Sequence, residues 1–196
     1  MQIDYYYSLM SPWTYLGAER FYELQNKYNF KINHYPLDIL KLFSLSGGQP
    51  LTKRADQRKA YRMMELRRWQ EKLNLLINFK PKYFPPSDVV KASCIILSVE
   101  DQNVQNLISL NLLKCVWVEE KDISDIDTLT EVCNKMGLNI DETLKHLKMH
   151  EQLYYSLAVK AARSNVFGSP SYVLNDEVFW GQDRLDLLEE RILENI

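Results

Sequence analysis

Ser11 is the first residue of this sequence whose type and position could support chemistry. It follows an aromatic-rich segment at residues 3–7 and precedes Pro12, a pattern that predicts a strand, a turn and then a helix. The free N–H groups and the dipole at a helix start favour a bound anion, and a serine hydroxyl adds a hydrogen-bond donor. An ordinary helix N-cap is the alternative role, and the two roles are compatible. Serine hydrolysis is disfavoured, because no Gly-x-Ser-x-Gly motif surrounds Ser11.

Two later segments carry polar residues at element boundaries. Ser169 and Pro170 precede a predicted hairpin, where a cis peptide would turn the Ser169 backbone outward to pair with an extended ligand. An ordinary trans proline in a turn is the alternative. Asp183 and Arg184 stand at the predicted start of the last helix, where Asp183 suits an ammonium group and free N–H groups suit a carboxylate. The alternative is that Asp183 is a plain N-cap and Arg184 a solvated charge.

The elements that must position these residues follow a recognisable order. Four segments predict β-strands: residues 3–7, 30–37, 171–174 and 178–180. Seven segments predict helices: residues 12–28, 55–76, 89–99, 104–117, 126–136, 142–163 and a last helix starting near Asp183. The order is βαβ, then a helical insertion, then ββα, which predicts an α/β fold with a right-handed crossover.

Charge and cysteine content exclude several functions. The 24 basic and 26 acidic side chains among 196 residues give a formal net charge of −2, so we expect neither nucleic-acid nor membrane binding. The cysteines, Cys94, Cys115 and Cys133, form no Cys-x-x-Cys, which disfavours a disulfide framework, a zinc site and a dithiol redox centre. His146 and His150 lie one helical turn apart without an evident third ligand, so we expect no metal site. Without a long apolar run or a secretory signal, the sequence predicts a cytoplasmic protein.

Taken together, the motifs resemble the DsbA-like branch of the thioredoxin superfamily, which includes kappa-class glutathione transferases and 2-hydroxychromene-2-carboxylate isomerases. The segments that carry the resemblance are SLMSPWTYL at 8–16, FPP at 84–86, WVE at 117–119, DISD at 122–125, NVFGSP at 165–170 and FWGQDRL at 179–185. The WVE, DISD and FWGQDR segments are more similar to the isomerase than to the transferase. The resemblance implies a thioredoxin-like domain formed by residues 1–42 and 160–196, with residues 43–159 as a large all-helical insertion.

The resemblance also implies roles for individual residues. DsbA relatives carry Cys-x-x-Cys at the first helix, whereas residues 11–14 here read Ser-Pro-Trp-Thr, so this chain cannot be a dithiol oxidase. In the isomerase family the serine holds the thiolate of glutathione, the cis-proline loop pairs with the tripeptide backbone, and the Asp-Arg helix start holds the γ-glutamyl group. By position, the residues implied to bind glutathione are Ser11, Pro12, Gln49, Lys59, Ser169, Pro170, Asp183 and Arg184.

One loop departs from the family pattern. Relatives carry Gly-Asn-x-Pro, whose asparagine touches glutathione, and this chain has Gly48 at the asparagine position. We predict Gln49 as the substitute and Lys59 as the match for a family lysine that contacts glutathione. Residues 53–72 contain eight basic and three acidic residues, a local charge of +5. That charge suits an anionic tripeptide and a carboxylated substrate, and a solvated helix face is the alternative.

The expected function is therefore a glutathione-dependent cis–trans isomerase of the 2-hydroxychromene-2-carboxylate type, with Ser11 as the catalytic residue. The expected partners are glutathione and a small aromatic carboxylate, and the resemblance implies a homodimer. Two alternatives stay open. One is a kappa-class glutathione transferase, which would consume glutathione, and the other is a non-catalytic binding protein on a thioredoxin fold.

Overall fold

The computed structural model describes residues 1–196 and contains four strands and nine α-helices. The strands are β1 (Gln2–Tyr7), β2 (Lys31–Pro36), β3 (Ser171–Leu174) and β4 (Glu177–Trp180). The helices are α1 (Pro12–Tyr28), α2 (Ile39–Ser46), α3 (Asp56–Leu73), α4 (Val90–Ser98), α5 (Gln102–Trp117), α6 (Ile126–Lys135), α7 (Ile140–Thr143), α8 (Leu147–Arg163) and α9 (Leu185–Leu193). Two short 3₁₀ helices span Leu51–Lys53 and Gln182–Arg184. None of the helices has both the length and the apolarity that a bilayer crossing requires.

The four strands form one mixed sheet in the order β2-β1-β3-β4. β1 runs parallel to β2 and antiparallel to β3, and β3 and β4 form an antiparallel hairpin. The parallel pair is connected through α1, as a βαβ unit requires. The predicted order of βαβ, helical insertion and ββα is confirmed, and with it the α/β class.

The sheet separates two apolar clusters, because alternate residues of a strand point to opposite faces. Tyr5 and Tyr7 belong to a cluster of 33 buried residues, which also contains core residues of α1, α5 and α9. Tyr6 belongs to a second cluster of 8 buried residues, shared with α2 and α8. On the larger face, Tyr5 stacks on Tyr172 of β3 with ring centroids 5.2 Å apart. This face fixes α1, and therefore Ser11, against the sheet.

The helical insertion differs from the sequence prediction in its details. The pattern does not predict α2, which Asp38 caps through its side chain and which ends where Gly47 takes a left-handed conformation with φ of 77°. The predicted helix at 142–163 is divided, since α7 ends at Thr143 and α8 begins at Leu147. The caps at the two ends of α2 are single-residue features, which apolar periodicity does not detect. The proposed domain boundary at residue 160 stays a prediction, and α8 runs through it.

A chain of buried polar side chains connects the sheet to the insertion. His34 Nδ1 lies 3.1 Å from the Tyr7 hydroxyl, and its Nε2 lies 2.9 Å from Asn106 Oδ1. Asn106 Nδ2 donates to Gln25 Oε1 at 3.3 Å, so Asn106 Oδ1 is the atom that accepts from His34 Nε2–H. The proton of His34 is therefore on Nε2, and His34 Nδ1 accepts from the Tyr7 hydroxyl. Burial lowers the pKa of His34 to about 4, although its bond to Asn106 opposes that shift. His34 is therefore neutral in the folded protein at neutral pH.

We predict that this histidine makes stability depend on pH. A histidine with a depressed folded-state pKa favours folding above its unfolded pKa of about 6.5, and that contribution is lost as the pH falls toward 4. Urea unfolding at a series of pH values should show a decline on the order of 3 kcal/mol across this window in the unmodified protein. In the His34→Gln variant, which keeps polar groups but cannot titrate, the decline should be much smaller. Equal declines in both proteins would contradict this role of His34.

Candidate functional site

Ser11 joins the end of β1 to the start of α1. Its backbone N–H donates to Ser8 O at 3.0 Å, which closes the turn after the strand. Its backbone is extended, with φ of −90° and ψ of 120°, and its Oγ accepts from Thr14 N–H at 3.2 Å. The N-cap role is thus confirmed. The same hydroxyl donates to the backbone oxygen of Ser169 at 3.3 Å, a residue 158 positions away, so capping uses only part of its bonding capacity.

The Ser169–Pro170 loop is held against the first turn of α1. The peptide bond between the two residues is cis, as the sequence comparison with the family implied. Ser169 Oγ accepts from Ser8 N–H at 2.8 Å and lies 3.0 Å from Thr14 Oγ1. Pro170 O accepts from Gly181 N–H at 2.9 Å, which connects the loop to the segment after β4. The structure therefore brings Ser11, Pro12, Ser169 and Pro170 together, as predicted.

Asp183 and Arg184 lie in the segment that follows β4. Both belong to the 3₁₀ helix Gln182–Arg184, and Arg184 Nη1 lies 2.9 Å from Asp183 Oδ2 in an exposed ion pair. Asp183 is not the N-cap of α9, because that helix begins at Leu185 without a side-chain cap. The plain N-cap alternative is therefore wrong, and the carboxylate pairs with its neighbour instead.

The first turn of α1 leaves two backbone donors open near Ser11 and Ser169. Pro12 has no N–H, and the N–H of Trp13 makes no hydrogen bond within the chain. The N–H of Ser169 likewise has no partner, whereas its carbonyl oxygen accepts from Ser11. A negatively charged atom placed beside Ser11 would meet a hydroxyl donor and a helix-start amide.

The structure does not bring Gln49 and Lys59 to this cluster through any hydrogen bond. Lys59 Nζ pairs with Asp56 Oδ1 at 3.1 Å on the exposed side of α3. Gln49 is exposed, and its backbone oxygen accepts from Arg54 Nε at 2.8 Å. Their roles toward glutathione stay predictions that rest on family position alone.

A close contact with Phe43 explains why residue 48 is glycine. A Cβ built at Gly48 would overlap Cδ1 and Cγ of the Phe43 ring and approach Phe43 Cβ to 3.1 Å. Asparagine, the residue of the family pattern, therefore cannot stand at this position unless Phe43 moves. Gly47 beside it has a positive φ of 77° and open space around its Cα.

The basic segment contains guanidinium groups without carboxylate partners. Arg54 precedes α3 and Arg62 lies on it, one helical turn after Arg58, and neither Arg54 nor Arg62 forms an ion pair. Burial, and then the positive charge of Arg58, lowers the pKa of Arg54. Burial, and then Arg54, lowers the pKa of Arg62. This face therefore keeps an unbalanced positive charge, which is compatible with both the anion-attracting role and the solvated-face alternative.

The chain supplies no reactive thiol of its own. Cys94, Cys115 and Cys133 are all free and buried. Burial is the main cause that raises their pKa values, to about 12, 11 and 11 respectively. Three neutral, enclosed thiols are packing residues.

Sequence reasoning missed Ser8 and Thr14. Ser8 lies at 1% exposure and Thr14 at 0%, and both contact Ser169 Oγ. A signal for Thr14 was present, because residues three apart in the first helical turn share a face and Thr14 stands three after Ser11. Nothing local signals its bond to Ser169, which joins residues 155 positions apart.

Comparisons with known proteins agree with this architecture. The chain matches the DSBA-like thioredoxin domain family over residues 2–193. It is 26% identical over 195 residues to a 2-hydroxychromene-2-carboxylate isomerase of Sphingobium xenophagum, with 98% of each chain covered. It is 24% identical over 202 residues to glutathione S-transferase kappa 1 of Homo sapiens, covering 95% of this chain and 88% of that protein.

A solved structure shows the same fold. The structure of a 2-hydroxychromene-2-carboxylate isomerase matches with a TM-score of 0.85 and 22% identity, covering 99% of this chain and 95% of the other. The resemblance and the thioredoxin-like fold with its helical insertion are confirmed. The relatives are named as isomerases and as glutathione transferases, so the comparisons support an enzyme.

We predict that restoring asparagine at position 48 destabilises the protein. In Gly48→Asn the new side chain meets the Phe43 ring, and such overpacking costs on the order of 1–3 kcal/mol. Gly47→Asn is the matched control, because asparagine tolerates a left-handed helix C-cap and position 47 is open. Chemical denaturation of both variants checks this, and equal stabilities would contradict the steric explanation.

Proposed function

We propose that this chain, which belongs to the DSBA-like thioredoxin domain family, binds glutathione beside Ser11 and acts as an isomerase of the 2-hydroxychromene-2-carboxylate type. One observation carries the proposal. The Ser11 hydroxyl stands at the start of α1 and donates at 3.3 Å to the Ser169–Pro170 loop, in a chain whose own thiols are all buried. The isomerase from Sphingobium xenophagum, similar over 98% of this chain, supports the reaction class.

The Ser169 backbone suits an extended thiol peptide. Its N–H has no partner within the chain, and its carbonyl oxygen accepts from Ser11. A ligand backbone would thus find one donor and one acceptor on the same residue, as in strand addition. The Ser169 oxygen can accept from a ligand N–H, and the Ser11 hydroxyl can rotate from that oxygen to donate to the ligand sulfur.

The free-energy requirement explains why several groups are needed at the sulfur. A thiol with a pKa of about 8.5 is only about 3% thiolate at neutral pH, and lowering that pKa by about two units requires roughly 2.7 kcal/mol. A helix start contributes about 0.3 to 1 kcal/mol, and up to about 2 in a partly buried geometry. A hydrogen bond to a charged group adds about 1.5 to 3 kcal/mol. Ser11 and the start of α1 together reach the required amount.

Asp183 and Arg184 would bind the γ-glutamyl head. They already form an opposite-charge pair at 2.9 Å, with side chains 41% and 50% exposed. An exposed ion pair contributes little to stability, so exchanging it for an ammonium and a carboxylate costs little. They follow Gly181, whose N–H donates to Pro170 O and so connects this segment to the Ser169–Pro170 loop.

Glutathione, when bound, would supply a thiolate that adds reversibly to the conjugated system of the substrate and leaves after rotation about the former double bond. The Ser11 hydroxyl would donate a hydrogen bond to the thiolate before the addition and again after the thiolate leaves. The charge of +5 along residues 53–72 would attract the substrate carboxylate. We further propose that the substrate is a small aromatic carboxylate and that the protein is cytoplasmic. We also propose that it forms a homodimer, and light scattering would measure the mass of that dimer.

The Ser11 hydroxyl can be tested separately from its N-cap. We expect Ser11→Gly to lower the rate of glutathione-dependent isomerisation of 2-hydroxychromene-2-carboxylate by about 100-fold, because it removes one donor to a developing charge. Glycine retains most of the N-cap stability, so the unfolding midpoint should hardly change, whereas Ser11→Ala should lose both. Ser11→Thr, which keeps a hydroxyl, should retain activity. Near-normal turnover in Ser11→Gly would contradict the assignment.

A kappa-class transferase is the second candidate, since the human relative of that class is 24% identical over 202 residues. The two activities differ in whether they consume the thiol of glutathione. We expect the concentration of free glutathione thiol to be the same before and after complete turnover, because an isomerase regenerates it. A loss of one thiol per product molecule would instead show a transferase. No turnover and no glutathione binding would favour a binding protein.

A further inference from the structure

Two side-chain hydroxyls and one backbone N–H beside Ser11 form a small hydrogen-bond network with a definite direction. Ser169 Oγ accepts from Ser8 N–H at 2.8 Å and lies 3.0 Å from Thr14 Oγ1. Thr14 is 0% exposed, and Ser169 Oγ is the one hydrogen-bond partner of its hydroxyl. Ser169 itself is half-buried.

The burial of Thr14 decides which hydroxyl donates. A buried hydroxyl whose proton has no acceptor is costly, and Thr14 has only Ser169 Oγ as an acceptor. Thr14 therefore donates to Ser169. Ser169 Oγ then accepts two hydrogen bonds, from Thr14 and from Ser8 N–H, which uses both of its lone pairs. The proton of Ser169 has no partner within the chain and is available to a ligand.

The hydroxyls of Ser11 and Ser169 both lie within hydrogen-bond distance of Thr14. The N–H of Thr14 donates to Ser11 Oγ at 3.2 Å, and its side chain contacts Ser169 Oγ. Ser11 Oγ is also 3.3 Å from the Ser169 backbone oxygen. Both hydroxyls therefore lie at the same first turn of α1.

We propose that the Ser169 hydroxyl is a second hydrogen-bond donor to the sulfur held by Ser11, and that Thr14 is the residue that positions it. The inference rests on the proposed function, since it requires a thiolate at Ser11. It assigns to the Ser169 side chain a role separate from that of its backbone. It also gives Thr14 a role that a purely structural threonine would not have, because Thr14 sets the direction of a proton.

The test is the pKa of the glutathione thiol in the complex, followed through the ultraviolet absorbance of the thiolate. Ser169→Ala should raise that pKa by about one unit, a tenfold loss in the ratio of thiolate to thiol. Thr14→Val should raise it by less. The double variant should not exceed Ser169→Ala, because the two residues act through one donor. Thr14→Ser keeps the hydroxyl that donates to Ser169 Oγ and should therefore match the unmodified protein.

Binding of S-methylglutathione separates this role from a structural one. This thioether cannot ionise, so if the hydroxyls act on the thiolate its dissociation constant should stay within about twofold in Thr14→Val and should change by clearly less than tenfold in Ser169→Ala. An unchanged thiol pKa in Ser169→Ala would overturn the inference, as would a parallel loss of S-methylglutathione binding. Those outcomes leave the proposed function intact. A failure of the unmodified protein to lower the thiol pKa would instead overturn the proposed function and this inference with it.

Discussion

The contact between the first turn of α1 and the loop before β3 is the constraint on which the site depends. β1 is an inner strand of the sheet, and its antiparallel register pairs Tyr6 with Ser171. The end of β1 therefore lies beside the entrance of β3, and Ser8 N–H reaches Ser169 Oγ at 2.8 Å. Because a backbone donor holds the loop, the Ser169 carbonyl faces Ser11 without any contribution from a ligand.

Helix α1 supports the second half of the site through a close approach that requires glycine. A Cβ at Gly17 would stand 2.7 Å from Gln182 Cβ and 3.0 Å from the Tyr172 hydroxyl oxygen. Arg20 Nη1 adds hydrogen bonds to Gln182 O at 3.3 Å and Oε1 at 3.0 Å. Gln182 is buried, so the exposed Asp183 and Arg184 stand on a fixed support. One helix thus aligns the thiolate end and the γ-glutamyl end of the proposed site.

The sequence predicted the parts of this arrangement that have local causes. Apolar periodicity indicated the order of strands and helices, and the serine before Pro12 indicated the start of α1. The prediction that Ser11 and Ser169 lie in one site required the family resemblance, because no local signal connects residues 158 positions apart. The partners of Thr14 and Lys59, and the end of α2 at Gly47, depend on packing or on single caps, which hydrophobic patterns do not record.

The most direct measurement of the central claim is a pH titration of the ultraviolet thiolate absorbance of glutathione mixed with the protein, compared with free glutathione. If Ser11 and the start of α1 hold a thiolate, the signal saturates with glutathione and its midpoint lies about two pH units below that of the free thiol. A midpoint equal to that of free glutathione, at concentrations that saturate binding, would contradict a thiolate site at Ser11.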